Sequence, residues 1–283
     1  MPTERLCLEY NLAGGLLLTL REENIWGLCQ GVKEAGYTHA CVLPFRGLTP
    51  ERAIENLKKQ PLNIIHLEDA WNPTSFDFFP AAILSGLLGY AKILAGDKTS
   101  PPILQDAAFP SKATCQKLVQ ELMEVFPNAK FISHEVEIRF PPSRCLLEIN
   151  PGLKMDATQI RDWAEQNGIG LVFDPNHLLS STQTISPPNQ STKKYQGEWE
   201  RQFQTFAPRI EVVDINPPQK EDAKELLKGK GILKEVAKAA KERGVQFLRV
   251  EIPMPLSTQL PLSPTQKAGF TFLREIGEAL KSA

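Results

Sequence analysis

Acidic residues close a series of short apolar runs in this chain, in places where an unpaired charge is expensive to bury. Cys145-Leu-Leu-Glu-Ile-Asn-Pro sets Glu148 and Asn150 on one face and Leu147 and Ile149 on the other. Gly170-Leu-Val-Phe-Asp-Pro-Asn-His ends in Asp174 and then His177, and Ile210-Glu-Val-Val-Asp-Ile-Asn ends in Asp214 and Asn216. Phe247-Leu-Arg-Val-Glu-Ile-Pro places Arg249 and Glu251 on the same face, and Asn63-Ile-Ile-His-Leu-Glu-Asp does so for His66 and Glu68. Period-two alternation puts each set on one side of its strand. A single such carboxylate is ordinarily an ion pair, but the one obvious internal cation, Arg249, stands against several. A divalent metal would neutralise them, and mixed carboxylate and imidazole ligation suits Zn²⁺, Mn²⁺ or a related ion. An ion-pair cluster around Arg249 is the plain structural alternative.

Those runs belong to a longer series. Arg5–Tyr10, His39–Leu43, Leu62–Leu67, Pro102–Asp106, Lys130–Val136, Cys145–Ile149, Gly170–Asp174, Ile210–Asp214 and Phe247–Ile252 all read as strands rich in Val, Ile, Leu and Phe, as strands covered on both faces should be. Helical patterns lie between them. Glu22 to Ala35 is followed by Gly36, Thr49 can cap a helix to about Lys59, and Ser111 to Phe126 ends before Pro127. Asp156-Ala-Thr-Gln159 is a capping-box pattern, opening a helix that ends near Gly168. Ile232 to Arg243 ends at Gly244, and Pro264 to Lys281 closes the chain. The Lys/Glu-rich stretch Lys220–Lys241 reads as a solvated outer helix.

Alternation at this density predicts a parallel α/β sheet. No G-x-G-x-x-G follows a strand, so a (β/α)8 TIM barrel fits better than an open nucleotide-binding sheet, with residues 1–283 as one domain. The strand count exceeds eight, however. Lys130–Val136 and Cys145–Ile149 are too close for a helical crossover. Either Pro102–Asp106 is loop or Lys130–Val136 is an extra strand or hairpin near 130–142. The second reading is preferred, because it leaves Ser111–Phe126 as an ordinary crossover helix.

Composition narrows the function. The chain has 283 residues, 32 Lys+Arg against 33 Asp+Glu and a net charge of -1, which disfavours a general polyanion binder. No apolar stretch reaches the length of a membrane span, and no signal peptide precedes the first strand, so a cytoplasmic protein is expected. The 5 cysteines are widely spaced with no C-x-x-C pair, and read as reduced, buried thiols.

Leu147-Glu148-Ile-Asn-Pro followed by Val172-Phe-Asp174-Pro-Asn-His177 resembles the L-E-N…D-x-x-H pattern of xylose isomerase-like TIM barrels. This superfamily includes sugar phosphate isomerases and epimerases and the endonuclease IV group. Glu22-Glu23 through Ala35-Gly36-Tyr37 is similar to its first helix, and Lys228-Gly-Lys-Gly231 through Val250-Glu251-Ile to its closing segment. The resemblance implies that Glu148, Asp174 and Glu251 are metal ligands, and that His177 meets substrate or metal. His66 sits where the endonuclease IV group often has a third-strand histidine. The seventh strand usually supplies a histidine ligand, and this chain has Asp214 there, or Asn216 just beyond. The nuclease group's D-x-H pair is missing.

The reading that follows is a metal-dependent sugar or sugar-phosphate isomerase or epimerase. Glu148 and Glu251 would be its acid/base pair. Glu148, Asp174, Asp214 and Glu251 would hold a divalent ion (Zn, Mn, Mg or Co), and His66, His177, Asn150 and Arg249 would bind substrate. Its expected partner is a small sugar or sugar phosphate rather than nucleic acid or a membrane. Two rivals are an endonuclease IV-like phosphodiesterase, which needs more histidine ligands and a basic track, and a degenerate barrel that binds without catalysis. The sequence leaves the oligomeric state open.

Overall fold

The computed structural model describes residues 6–11, 22–42, 58–59, 61–68, 112–136, 138–179, 196–216, 220–252 and 264–283. The expected strand Pro102–Asp106 and nearly all of the helix expected from Thr49 lie outside these residues. Eight strands form a closed barrel in chain order: β1 (Cys7–Asn11), β2 (His39–Val42), β3 (Asn63–Glu68), β4 (Lys130–Ser133), β5 (Cys145–Glu148), β6 (Gly170–Phe173), β7 (Ile210–Ile215) and β8 (Phe247–Val250). All neighbours are parallel, and β1 closes on β8 with Glu9 level with Arg249. The (β/α)8 expectation holds.

The fourth strand corrects the sequence reading. Lys130–Ser133 pairs with β3 on one side and β5 on the other, so it is a wall of the barrel and not an addition outside it. The apolar run through Val136 had suggested a longer strand and too short a crossover. The chain leaves the sheet at Ser133, whose hydroxyl donates to the Glu135 carbonyl and accepts from the Glu135 amide. The chain then crosses to β5, and among the described residues of this passage, 134–136 and 138–144, the regular element is a 3-10 turn, Pro142–Arg144. Arg144 pins this crossover by donating to the carbonyls of Met123, Phe126 and Ala129.

The helices are α1 (Glu22–Glu34), α2 (Lys112–Val125), α3 (Ala157–Asn167), α4 (Gln196–Phe206), α5 (Lys220–Leu227), α6 (Ile232–Glu242) and α7 (Pro264–Ser282). Asp156 and Gln159 form the expected capping box at α3, and Gly168 ends that helix at φ 66. The Lys220–Lys241 stretch is two helices. Gly231, at φ 82, turns the chain between them, and a Cβ there would lie 2.9 Å from Glu225 Oε2. Nor is α6 simply solvated, since Ile232, Leu233, Val236, Ala237 and Ala240 form a buried stripe.

Strand alternation sorts the core into two regions. Outward residues such as Leu147, Leu171, Phe173, Val213 and Leu248 pack with the helices in the main core. Inward residues Cys41, Ile132, Leu146, Val172 and Val212 form a separate apolar cluster, with Phe247 against it. On β4 to β8 this cluster underlies the polar residues two positions further along, His134, Glu148, Asp174, Asp214 and Arg249.

Candidate active site

Arg249 sits at the centre of the polar layer with 0% of its surface exposed. Its position on β8 is level with Asp214 on β7. Two parallel bonds, Nε to Oδ1 and Nη2 to Oδ2, both 2.6 Å, clamp the guanidinium to that carboxylate. Nη1 donates to Glu68 Oε2 at 3.0 Å and Nη2 to Glu148 Oε2 at 3.1 Å. Nη2 also lies 3.4 Å from Glu251 Oε1. One guanidinium thus reaches carboxylates from β3, β5, β7 and the end of β8.

Further side chains close the layer. His134 follows β4, with Nε2 3.1 Å from Glu68 Oε1 and 3.2 Å from Glu148 Oε2. Asn11, ending β1, donates to Glu68 and Glu251. Asn216 donates to Glu251 Oε2 at 3.3 Å. Beyond β6 the Asp-Pro-Asn-His segment folds into a turn, in which Asp174 Oδ1 accepts from the Asn176 amide at 2.7 Å. The turn directs His177 Nδ1 to Glu148 Oε1 at 3.1 Å and leaves that side chain 43% exposed at the mouth. Gln202 of α4 clasps the segment from outside, exchanging both amide bonds with the Leu179 backbone.

Charge is unevenly compensated. Burial would raise Glu148 and Glu68, but His134 and Arg249 hold both below the ordinary carboxylate value, Glu148 well below it with His177 contributing. On the other side burial prevails. It pushes Asp174 up against the pull of His177, pushes Asp214 up against that of Arg249, and takes Glu251 to about 7 with Glu68, Glu148 and Asp174 adding repulsion. Burial lowers His177, but Asp174 and Glu148 more than reverse this and carry it to about 10.

Glu148, Asp174, Asp214, Arg249, Glu251 and His177, all marked in the sequence, meet at the C-terminal ends of the strands. Asn150 lies beside them with its amide turned to the backbone. Nδ2 donates to the Glu148 and His134 carbonyls, and Oδ1 accepts from the Gly152 amide. His66 does not join the cluster. It lies a layer lower, where its Nδ1–H donates to Glu9 at 2.8 and 2.9 Å and its ring meets Phe247 edge-on. Glu68, His134 and Asn11 are additional members. Period-two spacing from His66 and Glu9 was the available signal for Glu68 and Asn11, while His134 was obscured by the misplaced fourth strand.

Two groups of side chains can hold a metal ion, Glu68–His134–Glu148 and Asp174–Asp214–Glu251, each with ligand atoms within 4.8 Å of one another. These donor sets suit a divalent cation by chemistry. No helix among the described residues is long and apolar enough to cross a membrane.

The strand order and site together define a closed eight-stranded parallel α/β barrel with a buried acidic centre at its C-terminal face. No family model matches the sequence, and no curated protein matches it. Among solved structures, the chain is similar to a xylose isomerase domain protein from Alicyclobacillus acidocaldarius at 15% identity, covering 98% of this chain and 99% of that one, TM-score 0.45. It is similar to a sugar phosphate isomerase/epimerase from Parabacteroides distasonis at 10% identity, covering 98% and 96%, TM-score 0.42. A third is an AP endonuclease, family 2, from Brucella melitensis at 9% identity, covering 88% and 93%, TM-score 0.43.

Proposed function

We propose that the protein is a divalent-metal-dependent isomerase or epimerase acting on a small sugar or sugar phosphate. One observation carries the reading. Glu148 and Glu251 both lie within reach of the same nitrogen, Arg249 Nη2, at 3.1 and 3.4 Å, yet their proton affinities are pushed in opposite directions. Paired carboxyls so separated suit proton transfer next to a carbonyl, with an ionised base and a protonated acid present together near neutral pH. Glu148 is the base and Glu251 the acid, and they exchange roles for the reverse reaction.

The remaining side chains support this division. His134, with His177 and Arg249, holds Glu148 ionised, and Arg249 fixes Asp214. Asn11 and Asn216 orient the two oxygens of Glu251. His177, protonated and half-exposed, is placed to donate to a substrate hydroxyl or phosphate at the mouth. Asp174 and Asp214, whose charge burial leaves undercompensated, are the residues that would hold the metal ion, with Glu251 as a further ligand only in its ionised form. When bound, the ion supplies Lewis-acid polarisation of the substrate carbonyl.

The test is to incubate the full chain with a panel of aldoses, ketoses and their phosphates in D₂O, with Mn²⁺, Co²⁺, Mg²⁺ or Zn²⁺, followed by proton NMR. The expected result is isomerised product with deuterium at the carbon next to the carbonyl. Glu148→Gln and Glu251→Gln should each lose about 10²-fold or more of the rate. A folded protein that exchanges no proton on any sugar with any of these ions would refute the reading and favour a barrel that binds without catalysis.

A further inference from the structure

We infer that Gln202, on the outer helix α4, is a positioning residue that sets where His177 stands at the mouth of the site, so that one edge of the substrate site is held from outside the barrel. The inference rests on the reading of His177 above as a group that meets substrate. The inner face of α4 is a buried stripe of Trp199, Gln202, Phe203 and Phe206, at the spacing of one helical face. Gln202 is the polar member of that stripe, with 0% of its surface exposed. A buried amide costs free energy unless its donors and its acceptor are used. Here they are. Oε1 accepts from the Leu179 amide at 3.0 Å, and Nε2 donates to the Leu179 carbonyl at 2.7 Å and to Glu198 Oε1 at 2.6 Å. A leucine or methionine would cover the core at this position without these bonds, so the amide is explained by what it grips.

What it grips is the backbone two residues past His177. The segment from Asp174 to Leu179 is held at both ends. On the barrel side the His177 amide donates to the Asp174 carbonyl at 3.0 Å, the Asn176 amide to Asp174 Oδ1, and the Asn176 side chain to the Asn216 carbonyl. On the helix side Gln202 takes both backbone groups of Leu179, as a paired residue does in an antiparallel ladder, and so fixes the segment in position and in rotation. The His177 ring is thereby delivered to Glu148 Oε1 at 3.1 Å and Asp174 Oδ2 at 3.6 Å. The orientation of the Gln202 amide is itself set from the surface. Arg201 binds Glu198 through Nε and Nη2 and holds its carboxyl below the ordinary value. An ionised carboxylate can only accept, so the Gln202 nitrogen must face Glu198, which leaves the oxygen for the Leu179 amide. A misplacement of about 1 Å at a substrate-holding group can cost up to about 10²-fold in rate, so a grip this far from the chemistry bears on it.

The experiment pairs a spectrum with kinetics. Gln202→Met keeps the length and the apolar cover of the side chain and removes its bonds to Leu179. In the metal-free full chain at one fixed pH, the ring C–H resonance of His177, identified by its absence in His177→Asn, should shift or broaden. That of His66, held by Glu9 a layer below, should not. With the sugar phosphate that turns over in the D₂O panel, Gln202→Met should raise KM by roughly 10-fold and leave kcat within about 2-fold, as His177→Asn should. The double variant should be no worse than His177→Asn alone, because Gln202 acts through His177. A folded Gln202→Met whose His177 resonance is unchanged overturns the inference, as does a double variant that loses the product of the two single effects. If Gln202→Met does not fold, Gln202→Asn, too short to span both Leu179 groups, decides on the same readouts. A wild type that turns over no sugar refutes the isomerase reading, and the His177 resonance then decides alone for or against the role of Gln202.

Discussion

Replacing Arg249 by Met tests the electrostatic design of the barrel most directly. The substitution leaves the methylene stem in place and removes the charge that Glu68, Glu148, Asp214 and Glu251 share. Breaking a buried ion pair by deleting one partner costs about 3–5 kcal/mol, mainly because the other charge is left uncompensated. For a chain of this size that corresponds to a fall in Tm of roughly 6–10 °C. The loss must depend on pH, and its sign is fixed. Glu68 and Glu148 are held below the ordinary value of 4.5, so they contribute stability that is complete above that value and is lost as pH falls through their folded values. Glu68 owes this chiefly to Arg249, and Glu148 owes it first to His134 and partly to Arg249. Without Arg249 the contribution shrinks. The gap between wild type and variant should therefore hold from pH 8 down to about 4.5 and narrow below it, toward pH 2. Urea denaturation of the metal-free proteins across that range measures it. A variant within about 1 kcal/mol of wild type at pH 7.5, or a gap that does not change with pH, would refute Arg249 as the counter-charge of the cluster.

Other outcomes follow from the same geometry. Glu251, raised to about 7, binds its proton more tightly folded than unfolded, so its ionisation erodes stability as pH rises from about 4.5 to about 7. Metal-free Glu251→Gln should thus match wild type near pH 4 and exceed it by up to about 3 kcal/mol at pH 8, read from thermal melts in EDTA. His177, carried to about 10, should stay protonated through neutrality. In metal-free protein its ring C–H resonance should not titrate below pH 8, and a midpoint near 6.5 would show that Asp174 and Glu148 do not hold it. Arg144→Met removes the bonds to the Met123, Phe126 and Ala129 carbonyls and should cost about 2–3 kcal/mol, without the pH dependence of the Arg249 variant.

Much of the barrel and most of the acidic centre are legible in the sequence, because both rest on alternation. A carboxylate two residues after an inward apolar residue must also point inward, and Leu146–Glu148, Val172–Asp174 and Val212–Asp214 all do. What alternation cannot supply is height along the barrel axis. His66 and Glu68 share a face of β3, but two residues of rise put them in different layers, and only the register of tilted strands assigns Glu68 to the centre and His66 to Glu9 below it. Hydrophobicity also misjudged where β4 stops. Val136 and Ile138 continue an apolar run but are exposed, and the turn at Ser133 that ends the strand is a local hydrogen-bond choice. That error displaced the fourth strand and removed His134 from the expected site. Arg249 was visible as the internal cation, but its partners span strands far apart in sequence and could not be ranked before the barrel was closed.

The short passage from β4 to β5 bears on how the barrel assembles. Residues 134–144 join two adjacent parallel strands, whereas β5 reaches β6 through 149–169 and β7 reaches β8 through 216–246. Closing the shorter loop loses less chain entropy, by about 0.6 kcal/mol for each halving of length. Phe140 and Arg139 already lie over Phe131 within that loop, and Arg144 ties it to the end of α2, so a small apolar nucleus is available before any distant strand arrives. The β4–β5 pair should be the seed on which the other strands add. Truncating Phe140 to Ala should then slow refolding more than it speeds unfolding, and a change confined to the unfolding rate would place the seed elsewhere.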